Sequence, residues 1–129
     1  MRYLLDTHVW LWLQSHTARV PDAVRARLAD PGVDVLLSSV SAWEIAIKYA
    51  RGKLPLPEPP AAYVPSRMRR DAIGGLPVTH AHALHVAALP HHHNDPFDRL
   101  LIAQAQLEGI PLVTADRHIP RYDVETLPV

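Results

Sequence analysis

Arg2-Tyr3-Leu4-Leu5-Asp6 is a short apolar segment closed by an acid, and the same form returns late in the chain as Leu112-Val113-Thr114-Ala115-Asp116. Two further junctions lie between them. Val33–Ser38 leads to Glu44, and Asp95-Pro96-Phe97-Asp98 opens an apolar helical stretch. Leucine-rich and β-branched runs of this length read as strands buried on both faces. If those strands are parallel neighbours, Asp6, Glu44, the acids of the Asp95–Asp98 block and Asp116 meet at one end of one sheet. Carboxylates crowded together repel one another unless a divalent cation is shared. That chemistry points to a metal-dependent nuclease.

Working outward, helices fill the gaps between strands. Thr7 is placed to cap a short helix through Leu13, and Pro21-Asp22 opens a second that stops near Pro31-Gly32. From Ser41, the residues Trp43, Ala46, Ile47 and Ala50 recur at helical spacing, with Gly52 as a stop. Leu54–Pro60 holds four prolines in seven residues and reads as a loop. Ala61–Arg70 reads as helix despite Pro65, with Gly74-Gly75 as its break. Leu76–Val78 is extended, Thr79 caps His80–Leu89, Pro90–Asn94 is a loop, and Pro96–Glu108 is a helix ended by Gly109. A last strand is expected within Val124–Leu127. Such alternation implies right-handed crossovers and a mostly parallel sheet. Ligands then bind beyond the carboxyl ends of the strands, where strand order reverses.

The chain has 129 residues, and one domain over 1–129 is expected. It contains no cysteine, which excludes disulfides and thiolate metal sites and agrees with a cytoplasmic location. No apolar run approaches the ~18 residues of a membrane span, and Asp6 interrupts any secretory apolar region. The formal net charge is zero, so composition neither supports nor excludes a nucleic-acid partner. The cations are nearly all arginine; Lys48 and Lys53 are the only lysines.

Each acid also has a local explanation. Ser41-Ala42-Trp43-Glu44 fits a capping box, and Glu44 can pair with Lys48 at i+4. Asp95 at an N-cap, Pro96 at the first helical position and Asp98 in the first turn favour a helix start. Asp6 and Asp116 can be turn or capping acids. None of these accounts for convergence on one sheet edge, and a strand-end, helix-start site suits phosphodiester chemistry.

Four blocks carry a family resemblance: Leu4–Trp12; Ser41–Lys48 with Gly52-Lys53-Leu54; Asp95-Pro96-Phe97-Asp98-Arg99 with Ile102-Ala103-Gln104-Ala105; and Leu112–Asp116. Together they resemble a PIN-domain ribonuclease of the VapC toxin type. The resemblance implies a three-layer α/β/α sandwich around a central, mostly parallel sheet. It implies an acidic site holding Mg²⁺, or Mn²⁺, that makes the chain an endoribonuclease. The family's four acids fall on Asp6, Glu44, Asp98 and Asp116, as metal ligands and catalytic groups. Asp95 is an auxiliary acid and Thr114 a polar residue lining the site. The resemblance also implies a toxin neutralised by a cognate antitoxin, and a homodimer. Nothing is carried over to Leu54–Gly75. Structured RNA with an exposed loop, such as a tRNA, is the expected substrate. Arg99 and Arg117 lie beside the acids, as phosphate contacts or as structural partners.

Rival readings fit less well. A phosphoacceptor receiver domain needs a lysine near the last strand, and both lysines lie elsewhere. A haloacid-type phosphatase needs an acid two residues after Asp6, where His8 stands. A non-catalytic PIN-like binding scaffold is the remaining alternative. His91-His92-His93 and the set His80, His82 and His85 read as solvated loop and helix surface rather than a zinc site. Trp10, Trp12 and Trp43 read as core or partner interface.

Overall fold

The structure, a computed structural model, describes residues 1–129. Five strands, β1 (Arg2–Leu5), β2 (Asp34–Ser38), β3 (Gly74–Leu76), β4 (Leu112–Thr114) and β5 (Thr126–Pro128), form one sheet in the order β3-β2-β1-β4-β5, every pairing parallel. Six helices, α1 (Thr7–Ser15), α2 (Asp22–Leu28), α3 (Ser39–Ala50), α4 (Pro60–Arg70), α5 (His80–His85) and α6 (Pro96–Glu108), connect and cover it.

Strand geometry sends successive side chains to opposite faces, and the two cores follow that rule. Leu4, Leu36 and Leu112 belong to one apolar cluster with Leu101 and Ile102 of α6. Leu5, Leu37 and Val113 belong to the other, with Val9 and Trp10 of α1 and Tyr63 and Val64 of α4. The result is the expected α/β/α sandwich. The chain lays β2 and β3 to one side of β1, then returns to place β4 and β5 on the other. Strand order therefore reverses between β1 and β4, and registers Leu5↔Leu37 and Leu5↔Val113 set Asp6 level with Ser38 and Thr114.

Several local expectations change. Asp6, not Thr7, occupies the N-cap of α1, and its side chain caps nothing. The Thr7 hydroxyl is committed elsewhere, donating to Ser41 Oγ at 2.8 Å in the interior. α3 begins at Ser39 rather than Ser41, because Ser38 Oγ accepts the Val40 N–H at 3.0 Å. Ser41 and Glu44 thus form no capping box. The buried face of α3 is Val40, Ser41, Glu44 and Ile45, while Trp43 of the anticipated stripe is 59% exposed. This helix is apolar nearly all round, so periodicity alone selects the wrong face. Gly74-Gly75 do not break α4 but open the edge strand β3; the helix ends at Arg70 with Asp71 as its C-cap, followed by Ala72 at a positive φ of 55°. A Cβ on Gly74 would meet Leu36 Cδ2 at 3.0 Å, so a larger residue there would push on the Leu36 side chain of β2. α5 stops at His85 and continues as a 3-10 turn, Val86–Ala88.

α6 matches its expected limits. Asp95 Oδ1 accepts from Phe97 N and Asp98 N at 2.9 and 3.1 Å. Gly109 ends the helix in the left-handed region at φ 64°. No heavy atom lies where its Cβ would go, so Gly109→Ala tests backbone conformation alone. We expect this change to lower stability by about 1 kcal/mol, read as a shift of the urea midpoint at unchanged slope; an unshifted midpoint would contradict the assignment.

Candidate active site

Asp6 ends β1 at the point where strand order reverses, almost fully buried. Its Oδ2 accepts the Thr114 hydroxyl at 2.7 Å, and Thr114 Oγ1 in turn accepts the Asp116 backbone N–H at 3.0 Å. One hydroxyl thus ties the ends of β1 and β4 together. A hydrogen bond to a charged group contributes roughly 1.5–3 kcal/mol, enough to hold Asp6 across the sheet instead of over its own helix. Asp116 follows β4 and behaves in part as a turn acid, since Oδ1 accepts His118 N–H at 2.7 Å.

Glu44 reaches the same end from the buried face of α3, 3% exposed, with Oε2 receiving Lys48 Nζ at 2.6 Å. Asp98 enters from the first turn of α6 and is buried; Asp95, the cap, stays exposed. The four acids act on one another. Burial raises the Asp6 carboxyl above its ordinary range, the Thr114 hydrogen bond and His8 oppose this, and Glu44 and Asp116 add to it. Asp98 is pushed up to about 8, by burial first and then by the charges of Asp6, Asp95, Asp116 and Glu44. Four separate segments therefore deliver carboxylates to one electrostatic neighbourhood.

No three histidine, aspartate or glutamate side chains close on a point tightly enough to cage a metal by themselves. The donor set is nevertheless all hard oxygen and strongly anionic. Mg²⁺ keeps several waters and needs only one or two carboxylates directly. The residues suit a hydrated hard cation, not an all-protein cage.

Arg99 is turned inward. Its guanidinium donates to Pro90 O at 2.7 Å, to Tyr122 Oη at 3.1 Å, and to Val86 O and Leu89 O at 3.4 Å. It pins the segment before α6 and is not placed to meet phosphate, because buried carbonyls need its donors. Arg117 is exposed and forms no ion pair. The histidines also differ from a solvated surface. His82 is buried, capping α5 through Thr79 and meeting Glu108 at 3.2 Å, and His93 meets Asp98 at 3.2 Å. The position of His93 five residues before Asp98 was a signal that its placement in a histidine run obscured. Trp10 is core, as expected, while Trp43 packs edge-on against Phe97 at 5.3 Å. Lys48 is more than a helix partner of Glu44: with Lys53 it lines a cavity of about 280 Å³ beside Thr7 and His8. Both lysines following Glu44 so closely was the available clue.

The PIN domain family model matches residues 3–125. The chain belongs to the PIN domain family. Ribonuclease VapC16 of Mycobacterium tuberculosis (strain ATCC 25618 / H37Rv) is 53% identical over 73 residues, 54% of this chain and 52% of that protein. The chain thus spans about half the length of this curated relative. Two solved structures share the fold: VapBC2 from Rickettsia felis bound to a DNA fragment from their promoter (TM-score 0.76, 16% identity, 100% of this chain and 99% of that one), and DNA-bound VapBC from Salmonella typhimurium (TM-score 0.74, 19% identity, 99% and 98%). No helix is long and apolar enough to cross a membrane.

The raised acid has a consequence for stability. Folded Asp98 keeps its proton up to about pH 8, whereas the unfolded chain releases it near pH 4. Between those values the native state binds more protons, so stability falls as pH rises. With divalent cations chelated, the denaturation midpoint of the parent should drop from pH 5 to pH 8 more steeply than that of Asp98→Asn. Parallel profiles would remove the basis for a strained carboxylate.

Proposed function

We propose that this protein is a metal-dependent endoribonuclease that acts as the toxin of a toxin–antitoxin pair. Its substrate is structured RNA cut at an exposed loop, of which a tRNA is the leading example. The observation that carries the reading is the raising of the Asp6 and Asp98 carboxyls, by burial and by neighbouring acids that include Glu44 and Asp116, at the β1–β4 reversal. The likeness to a relative named as a ribonuclease, and to chains of VapBC structures, supports it.

In this reading Asp6, Glu44, Asp98 and Asp116 would hold Mg²⁺ or Mn²⁺, with Asp95 as an outer acid. Once bound, the ion lowers the pKa of an attacking water and stabilises charge on the phosphate. The chain's own residues do the rest. Thr114 fixes the aim of Asp6, and Lys48 balances Glu44 while facing the groove. Two adjoining cavities, of about 320 and 280 Å³, share His8, Leu11 and Leu54 and have no acid in their walls. Lys48 and Lys53 line one, and Arg19, stacked over Trp12 at 4.7 Å, lines the other. A cationic, partly aromatic groove leading to the acids suits an unpaired RNA strand. A cognate antitoxin silences the site, and the exposed Trp43, backed by Phe97, offers apolar surface for that partner or for a second copy in a homodimer.

Glu44→Gln and Asp6→Asn preserve shape and should leave folding intact while abolishing Mg²⁺-dependent cleavage of a structured RNA. Parental cleavage by both would leave only the binding-scaffold alternative. Lys53→Ala is expected to raise KM for RNA several-fold at unchanged kcat and to flatten the salt dependence. An unaltered KM would reroute the strand.

A further inference from the structure

We propose that His93 is the positioning residue for Asp98, held in one tautomer by a hydrogen-bond relay from Arg99 through Tyr122. The consequence for RNA cleavage rests on the nuclease reading; the relay itself does not.

The direction of every bond follows from the donor at its start. A guanidinium has only donors, so Arg99 must donate to Tyr122 Oη, at 3.1 Å. The His93 backbone N–H also donates to that oxygen, at 3.3 Å. With both lone pairs used, the phenolic hydrogen points to the remaining neighbour, His93 Nδ1, at 2.7 Å. Nδ1 is therefore the acceptor nitrogen and Nε2 carries the hydrogen, which faces Asp98 Oδ2 at 3.2 Å. Asp98 Oδ1 receives no hydrogen bond from the chain, which leaves it as the oxygen available to a ligand.

The relay is braced at each stage. Arg99 is locked by the carbonyls of Pro90, Val86 and Leu89. The Tyr122 ring is buried in the core, with His92 edge-on at 4.8 Å. The His93 ring lies nearly parallel to His118, 5.4 Å away at 14°. The His118 backbone N–H donates to Asp116 Oδ1, so the residue stacked on His93 is itself tied to a second site acid. An imidazolium would direct a second N–H at an oxygen that already receives two donors. Partners of this kind orient carboxylates and typically matter about 10–100-fold in activity.

The test pairs kinetics with spectroscopy. His93→Leu and Tyr122→Phe are expected to lower kcat for Mg²⁺-dependent RNA cleavage about 10–100-fold with KM unchanged. His93→Gln, whose amide N–H replaces Nε2–H, should recover most of that loss; a packing defect would not be repaired this way. Ring ¹⁵N resonances of the metal-free parent should show the hydrogen on Nε2, and Tyr122→Phe should relax that preference. A parent ring carrying its hydrogen on Nδ1, or a His93→Leu variant cleaving at the parental rate, overturns the relay. If Asp98→Asn also cleaves normally, the fault lies in the nuclease assignment, and the ring nitrogens alone decide the relay.

Discussion

The burial of one carboxylate at the end of the central strand governs how the rest of this end of the molecule is arranged. Asp6 follows the central strand, where the two wings of the sheet meet, with apolar layers above and below. A lone charge there would be costly. Thr114 supplies the compensating hydrogen bond, so β4 must be in register with β1 for Asp6 to be tolerated at all. Through the Thr114 hydroxyl the same contact fixes the Asp116 backbone. Fold and site are therefore one constraint here: the register that closes the sheet also assembles the acids.

The acids are placed against the interest of stability. Asp98 sits in the company of Asp6, Asp95, Asp116 and Glu44, none of which gains from the others as a neighbour. Only Glu44 has a cation in contact, through Lys48. The nearest arginine in sequence, Arg99, does not relieve this strain; it is spent on backbone carbonyls and on Tyr122. Several of these residues break local rules without a local gain. Asp6, which occupies an N-cap and caps nothing, is the clearest instance, and Asp95, which caps fully, is the contrast.

Local chemistry misleads where two explanations share one pattern. Ser41 and Glu44 have the spacing of a capping box, yet Ser38 captures the start of α3 and frees both side chains for the interior. The stripe of Trp43, Ala46, Ile47 and Ala50 has helical period, yet the helix turns its other face inward, because that face carries Ile45 and Glu44 to the sheet end. Gly74-Gly75 look like a breaker and serve instead as an edge strand close against Leu36. The histidine run, which reads as a solvated loop, sends His93 back toward Asp98.

What the amino-acid order determined by itself was the succession of strands and helices, the caps of α6, and membership of the PIN domain family. These depend on periodicity, turn chemistry and motif spacing, which are properties of neighbouring residues. Only the tertiary structure decided the strand order β3-β2-β1-β4-β5, the burial of Glu44, the inward turn of Arg99 and the chain of contacts from Tyr122 through His93 to Asp98. Those outcomes depend on which distant segments share the limited space at one sheet end. Competition for that space is settled by packing and by the need to satisfy every buried polar group.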